Sequence, residues 1–194
     1  MSLATSHQGR RQPRVRRYLA LWLLALLPGA AHPAGPPQRV VSINLCADQL
    51  LLMLADADQV ASVSHLAIEP LSSFVAEQAR NYPLNHAKAE EIIALRPDLV
   101  LATAHNSPRL LTTLESLGYR VERLHLGRQP TQIIEDLRHL ADILGQPEQG
   151  ERLIQVFQSR LGEAPPLSPE QRPGALFYQP RGYTSGRDTL QDEA

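Results

Sequence analysis

The sequence has one cysteine, Cys46, in 194 residues. A disulfide framework within the chain is therefore excluded, and stability has to come from a hydrophobic core. Cys46 follows a short apolar strand and opens an apolar segment, so it reads as a small buried hydrophobe. Aromatic residues are scarce at 5%, and Trp22 is the only tryptophan. Hydrophobic residues nonetheless reach 43%, which is ample for a core and too many for a disordered chain. Net charge is almost absent: 19 Lys+Arg stand against 20 Asp+Glu, a formal charge of −1. That balance argues against a nucleic-acid partner, which calls for a basic face. Glycine-rich phosphate loops are missing as well, which removes the usual nucleotide binders.

The charge is unevenly spread. Arg10, Arg11, Arg14, Arg16 and Arg17 form a basic block with no acidic residue among them. The apolar run Tyr18 to Leu27 follows, and then the small residues Gly29, Ala30 and Ala31. This order reads as a secretory signal peptide over residues 1–31, and the run is short for a bilayer span. An uncleaved N-terminal anchor is the alternative. Taking the five leader arginines from 19 basic residues leaves 14 against 20 acidic ones, so the exported body carries −6.

Beyond the leader, strands and helices alternate. Arg39 to Ile43 is a short apolar strand, and Asn44 is placed to cap the helix that follows it. Val60 to Val63 is the next strand, ending at Ser64 and His65. Ala89 to Leu95 is a short helix stopped before Pro97. Asp98 to Ala102 is nearly all apolar, as a parallel strand covered on both faces should be. Pro108 to Leu117 is a helix that Gly118 ends, and Tyr119 to Leu124 is a strand. Pro130 opens a helix with its apolar stripe running to Leu144. Glu148 to Leu161 is a second long helix, with Leu153, Val156, Phe157 and Leu161 on one face.

The alternation implies an α/β, Rossmann-like lobe with a parallel sheet over residues 38–145. Residues 146–163 form a connecting helix. A proline-rich stretch follows, and Ala175 to Tyr178 is a strand opening a second α/β lobe over residues 172–194. A lone strand after a linker does not make a sheet, so the second lobe is expected to be truncated. Ligands of such lobes bind beyond the C-terminal ends of the strands. Asn44, His65, His105 and Asn106 fall there, and His86 precedes the acidic helix. His65, His86 and His105 are three imidazoles able to face one cleft, as direct zinc, manganese or haem-iron ligation would require. Their spacing matches no metal motif, so polar pocket walls are the other reading. His125 and His139 read as surface residues. A cysteine-dependent hydrolase using Cys46 with His65 or His105 is a further alternative, without a nucleophile motif to support it.

Two blocks carry a family resemblance. One is Arg39-Val40-Val41-Ser42-Ile43-Asn44-Leu45-Cys46-Ala47-Asp48-Gln49-Leu50. The other runs from Asn85 through Ala89-Glu90-Glu91 into Arg96-Pro97-Asp98-Leu99-Val100. In this order and spacing, with the helix from Glu148 and the segment from Phe177 to Leu190, the chain resembles the periplasmic substrate-binding proteins of ABC importers for iron–siderophore complexes, haem and cobalamin. The resemblance implies two α/β lobes joined by a helical backbone. It implies capture of a small-molecule metal chelate, with no bond made and no cofactor permanently bound. It implies delivery to an inner-membrane ABC permease by a periplasmic protein expected to be a monomer. Glu90 aligns with a glutamate that docks on the permease, and Glu91 is its neighbouring competitor. Arg181 and Tyr183 stand where the second lobe would face an anionic ferric chelate. Cobalamin binders of the family place a tryptophan just before the acidic helix; Leu84, Asn85 and His86 stand there instead.

Overall fold

The structure is a computed structural model that describes residues 35–125 and 129–162. The expected leader, Arg181, Tyr183 and the strand from Ala175 lie outside the described residues. Five strands form one sheet: β1 (Val40–Ser42), β2 (Val60–Ser64), β3 (Leu84–Asn85), β4 (Leu99–Thr103) and β5 (Val121–Leu124). All neighbours are parallel, in the order β3-β2-β1-β4-β5. The helices are α1 (Leu45–Leu54), α2 (Ala76–Ala79), α3 (Ala89–Leu95), α4 (Pro108–Ser116), α5 (Pro130–Leu144) and α6 (Pro147–Gly162). The expected α/β class with a parallel sheet is what the described residues show.

Side chains on a strand alternate between the faces of its sheet. Here both faces are covered, so both sets are apolar. Val40, Leu99 and Leu101 pack with Leu51 and Leu54 of α1, Leu140 and Leu144 of α5 and Ile154 of α6. Val41, Val100 and Ala102 take the opposite face, beneath Ile92 of α3 and Leu111 and Leu114 of α4. The chain winds from β1 out to β2 and β3, then returns past β1 to lay down β4 and β5. The winding reverses between β1 and β4, which makes this the switch point of the sheet.

Most element ends follow local rules. Asn44 caps α1 by accepting from the Cys46 amide at 3.0 Å. Proline opens α4 and α5, where its missing N–H costs nothing. Gly145 ends α5 at φ 73°, and a Cβ there would also stand 2.6 Å from Pro36, so glycine meets both demands. A Cβ on Gly150 would collide with Ala141, so the start of α6 packs closely on α5. An ion pair between Arg138 and Glu151 at 2.6 Å links the same two helices. Beyond Ile154, α6 leaves the core and exposes Val156 and Leu161.

Three features differ from the sequence reading. The edge strand β3 was not anticipated, because it has two residues and its only buried one is Asn85. Cys46 is exposed rather than buried, since Ala47 and Asp48 take the buried side of the first turn of α1. The strand expected from Asp98 starts at Leu99. Asp98 instead accepts hydrogen bonds from the Gln38 and Arg39 amides at 2.7 and 3.0 Å.

Candidate functional site

Because the sheet is parallel, every strand delivers its C-terminal end to one edge. Following the strand order, this edge carries His86 after β3, His65 after β2, Asn44 after β1, His105 and Asn106 after β4, and His125 after β5. His65 and His86 are exposed and stacked, with ring centroids 4.8 Å apart and planes 23° from parallel. The pairing register explains the stack. Ser64 lies opposite Asn85, so the next residue of each strand is a histidine, and adjacent strands stand about 4.8 Å apart. His105 sits two strands from His65, roughly 10 Å along the edge by the same spacing. It is exposed, and no ring contact joins it to the pair among the described residues.

A floor of buried polar groups underlies this edge. Ser42, Asp48, Asn85 and Thr103 are fully buried and Ser64 nearly so. Asp48, on the first turn of α1, accepts from the Ser64 amide at 2.9 Å and from the Ser64 hydroxyl at 2.5 Å. Burial pushes the Asp48 carboxyl above its ordinary range, while the Ser42 and Ser64 bonds and the nearby His65 oppose the rise. Asn85 donates to the Ser42 carbonyl, the Ser62 hydroxyl and the Val63 carbonyl at 2.9, 2.9 and 3.0 Å. It thereby ties β1, β2 and β3 together just below the two rings.

The expected binding asparagines are largely committed to this scaffold. Asn44 is the α1 cap. Asn106 donates to the Ile43 carbonyl at 2.9 Å and accepts from the Thr103 amide at 2.8 Å. The turn after His86 is tight. Ala87 has φ 54°, a conformation unfavourable for a residue with a Cβ. The Ala87 amide donates to Asn85 Oδ1 at 3.1 Å, and the His86 amide donates to Glu91 Oε2 at 2.6 Å. The His86 amide holds the Glu91 carboxyl below the usual range; burial opposes this, and His86 and Lys88 add to it. Glu90 points away: it is exposed and makes no hydrogen bond or ion pair among the described residues.

The remaining readings fare differently. Among the described residues, no three His, Cys, Asp or Glu side chains converge as a metal site would require. Cys46 lines a recess of about 300 Å³ between α1 and α5 with Leu50, Met53, Ile133 and Leu137. Desolvation there, and then the Asp48 charge, push its thiol upward, away from the thiolate that a nucleophile needs. His139 lies on α5 with Nε2 3.1 Å from Glu122 Oε1, a surface pair, and His125 is exposed. The floor of Asp48 and Asn85 went unforeseen. The sequence signal was there: a polar residue immediately before His65 and before His86, and an acid in a mostly apolar helix.

Comparison with known proteins places this architecture. Residues 40–190 match the family described as periplasmic binding protein. A vitamin B12-binding protein of Yersinia pestis (strain Pestoides F) is 28% identical over 188 residues, covering 93% of this chain and 63% of its own length. A vitamin B12-binding protein of Vibrio cholerae serotype O1 (strain ATCC 39541) is 25% identical over 166 residues, covering 85% and 59%. This chain therefore spans about three-fifths of the length of those relatives. A solved periplasmic heme-binding protein from Pseudomonas aeruginosa superposes with a TM-score of 0.55 at 27% identity, over 65% of this chain and 45% of that one. With residues 40–190 matched, well over half of the chain, and with a parallel sheet among the described residues, the protein belongs to the periplasmic binding protein family.

Proposed function

We propose that this protein captures a metal chelate, such as haem, a ferric siderophore or cobalamin, and hands it to an inner-membrane ABC permease without chemical change. The observation that carries the reading is the exposed His65–His86 stack on the C-terminal edge of the sheet, at its β3–β2 end. Imidazoles offer both flat faces and nitrogen lone pairs, which suit a haem or other ferric chelate. The segment Leu84–His86 has no tryptophan to lay against a corrin, which ranks cobalamin below these two. Relatives named as vitamin B12-binding and heme-binding proteins support the chelate class as a whole.

In this reading residues 1–31 export the chain to the periplasm, where it works as a monomer. Residues 38–145 form the first lobe, 146–163 the connecting helix, and 172–194 the opening of the second lobe. Arg181 and Tyr183 close on the ligand from that second side. His105 and Asn106 edge the cleft, with Asn44 shaping its floor. Glu90 is the permease-docking residue, because its carboxylate is unengaged while that of Glu91 supports its own turn. A carboxylate so presented can take a bidentate contact from an arginine.

Absorbance and fluorescence titrations with haem, cyanocobalamin and a ferric hydroxamate test the reading. One of these ligands is expected to bind, and a His65→Ala/His86→Ala double substitution to weaken it by at least tenfold. Equal affinity in the double variant would sink the assignment of the site.

A further inference from the structure

Two buried polar side chains have no direct access to a ligand and yet stand one residue from the exposed rings. Ser64, gripped at both its amide and its hydroxyl by Asp48, immediately precedes His65. Asn85, bonded to β1 and β2 through three acceptors, immediately precedes His86. Ser64 and Asn85 are themselves register partners. The strand pair alone would fray here, since β3 has only two residues and Leu84 is exposed.

We propose that Asp48 and Asn85 are positioning residues for the His65–His86 pair, fixing the two rings as one pre-set stacked face before any ligand arrives. The inference rests on the functional reading above and adds to it a source of preorganisation. A ligand meeting rings already in place avoids the entropy of ordering them. Two features of the site fit this role. Burying an ionisable acid is costly unless it is hydrogen-bonded, and the bonds of Asp48 are made to Ser64, the residue before His65. The strained Ala87 conformation is held in part by Asn85 Oδ1, and such strain persists only where surrounding contacts over-determine it.

Histidine ring-proton NMR of the unliganded chain reads the stack directly. Asp48→Ala and Asn85→Ala are expected to remove the upfield ring-current shift that His65 and His86 impose on one another. Haem affinity should fall roughly tenfold in each, the lower end of what loss of a supporting shell costs. Asp48→Asn keeps an acceptor for the Ser64 amide and should restore much of both signals. Gln59→Ala is the control. Gln59 is a buried anchor at the opposite edge, donating to the Pro37 and Leu144 carbonyls, and its loss should lower stability without touching the ring shifts. Unchanged ring shifts in folded Asp48→Ala and Asn85→Ala, or an equal loss in Gln59→Ala, overturn the proposal. If Asp48→Ala does not fold, Ser64→Ala removes the hydroxyl half of the grip and is read the same way. A chain that shows the stack but binds no chelate would sink the functional reading, while the ring shifts would still decide the positioning role.

Discussion

At the N-terminal edge of the sheet, buried and half-buried polar groups close the chain on itself; at the C-terminal edge the same kinds of group hold side chains out. Gln59 donates to the Pro37 and Leu144 carbonyls, and Asp98 accepts from the Gln38 and Arg39 amides. Those bonds end on loop backbone and on the last residue of α5, and Arg39 in turn caps the α3 carbonyl at Leu95. Across the sheet, Ser64, held by Asp48, and Asn85 make bonds of similar length, but the next residue is an exposed histidine each time. The difference is one of sequence position rather than bond chemistry. An anchor followed by more anchored backbone builds a closed base, whereas an anchor followed by an exposed ring builds an open face.

Substitutions can break this contrast in graded steps. The largest effect is expected from Leu101→Ala in the shared core, which is fully buried and should lose about 2–5 kcal/mol in urea unfolding. Because β4 supports both edges, stability and chelate affinity should fall together. Gln59→Ala should cost about 1–3 kcal/mol by leaving buried carbonyls unpaired, with chelate affinity unchanged. A parallel loss of affinity there would erase the distinction between the edges. Ala87→Val should lose roughly 1–2 kcal/mol, because a β-branched residue fits badly at positive φ. Ala87→Gly should relieve that strain and leave the unfolding midpoint near its original value.

Acid titration sharpens the contrast within the C-terminal edge itself. Glu91 is depressed in the folded state, chiefly by the His86 amide. Its contribution to stability is therefore present above its ordinary value and is lost as pH falls through the depressed one. Asp48 is raised, chiefly by burial, and so acts with the opposite sign. It favours the fold below its ordinary value, and that benefit is lost as pH rises through the raised one. Glu91→Gln should flatten the acid limb of the stability profile, and Asp48→Asn should remove the opposing slope. The smallest effect on stability belongs to Glu90→Gln, within about 0.5 kcal/mol as for exposed sites generally. Chelate binding should also be unaltered, and only transfer to a reconstituted permease should fall.

Legibility in the sequence followed the length and periodicity of each element. Helix α5 was readable at both ends, from Pro130 to Leu144, because proline, the leucine stripe and Gly145 agree. Helix α3 was equally clear between Ala89 and the proline at 97. Strand β3 was not, since a two-residue edge strand with a buried asparagine has no apolar pattern to read. Cys46 was misplaced because its apolar neighbours say nothing about which side of the first helical turn it occupies. Asp48 is an acid in the first turn of a helix, a position where exposed carboxylates are common, and only packing shows it buried against Ser64.

The sequence by itself determined the layers of this protein. Apolar runs at strand length, separated by amphipathic helices, admit little besides a parallel sheet covered on both faces, and that places the strand-end histidines on one edge. Tertiary structure decided which of them meet. The β2–β3 register sets His65 against His86 at one interstrand spacing and leaves His105 two strands away. The same level of organisation distinguishes Glu90 from Glu91, adjacent and chemically identical, since only Glu91 folds back onto the His86 turn. Neither outcome is visible locally, because both depend on chain pairing and a single turn rather than on any property of the residues alone.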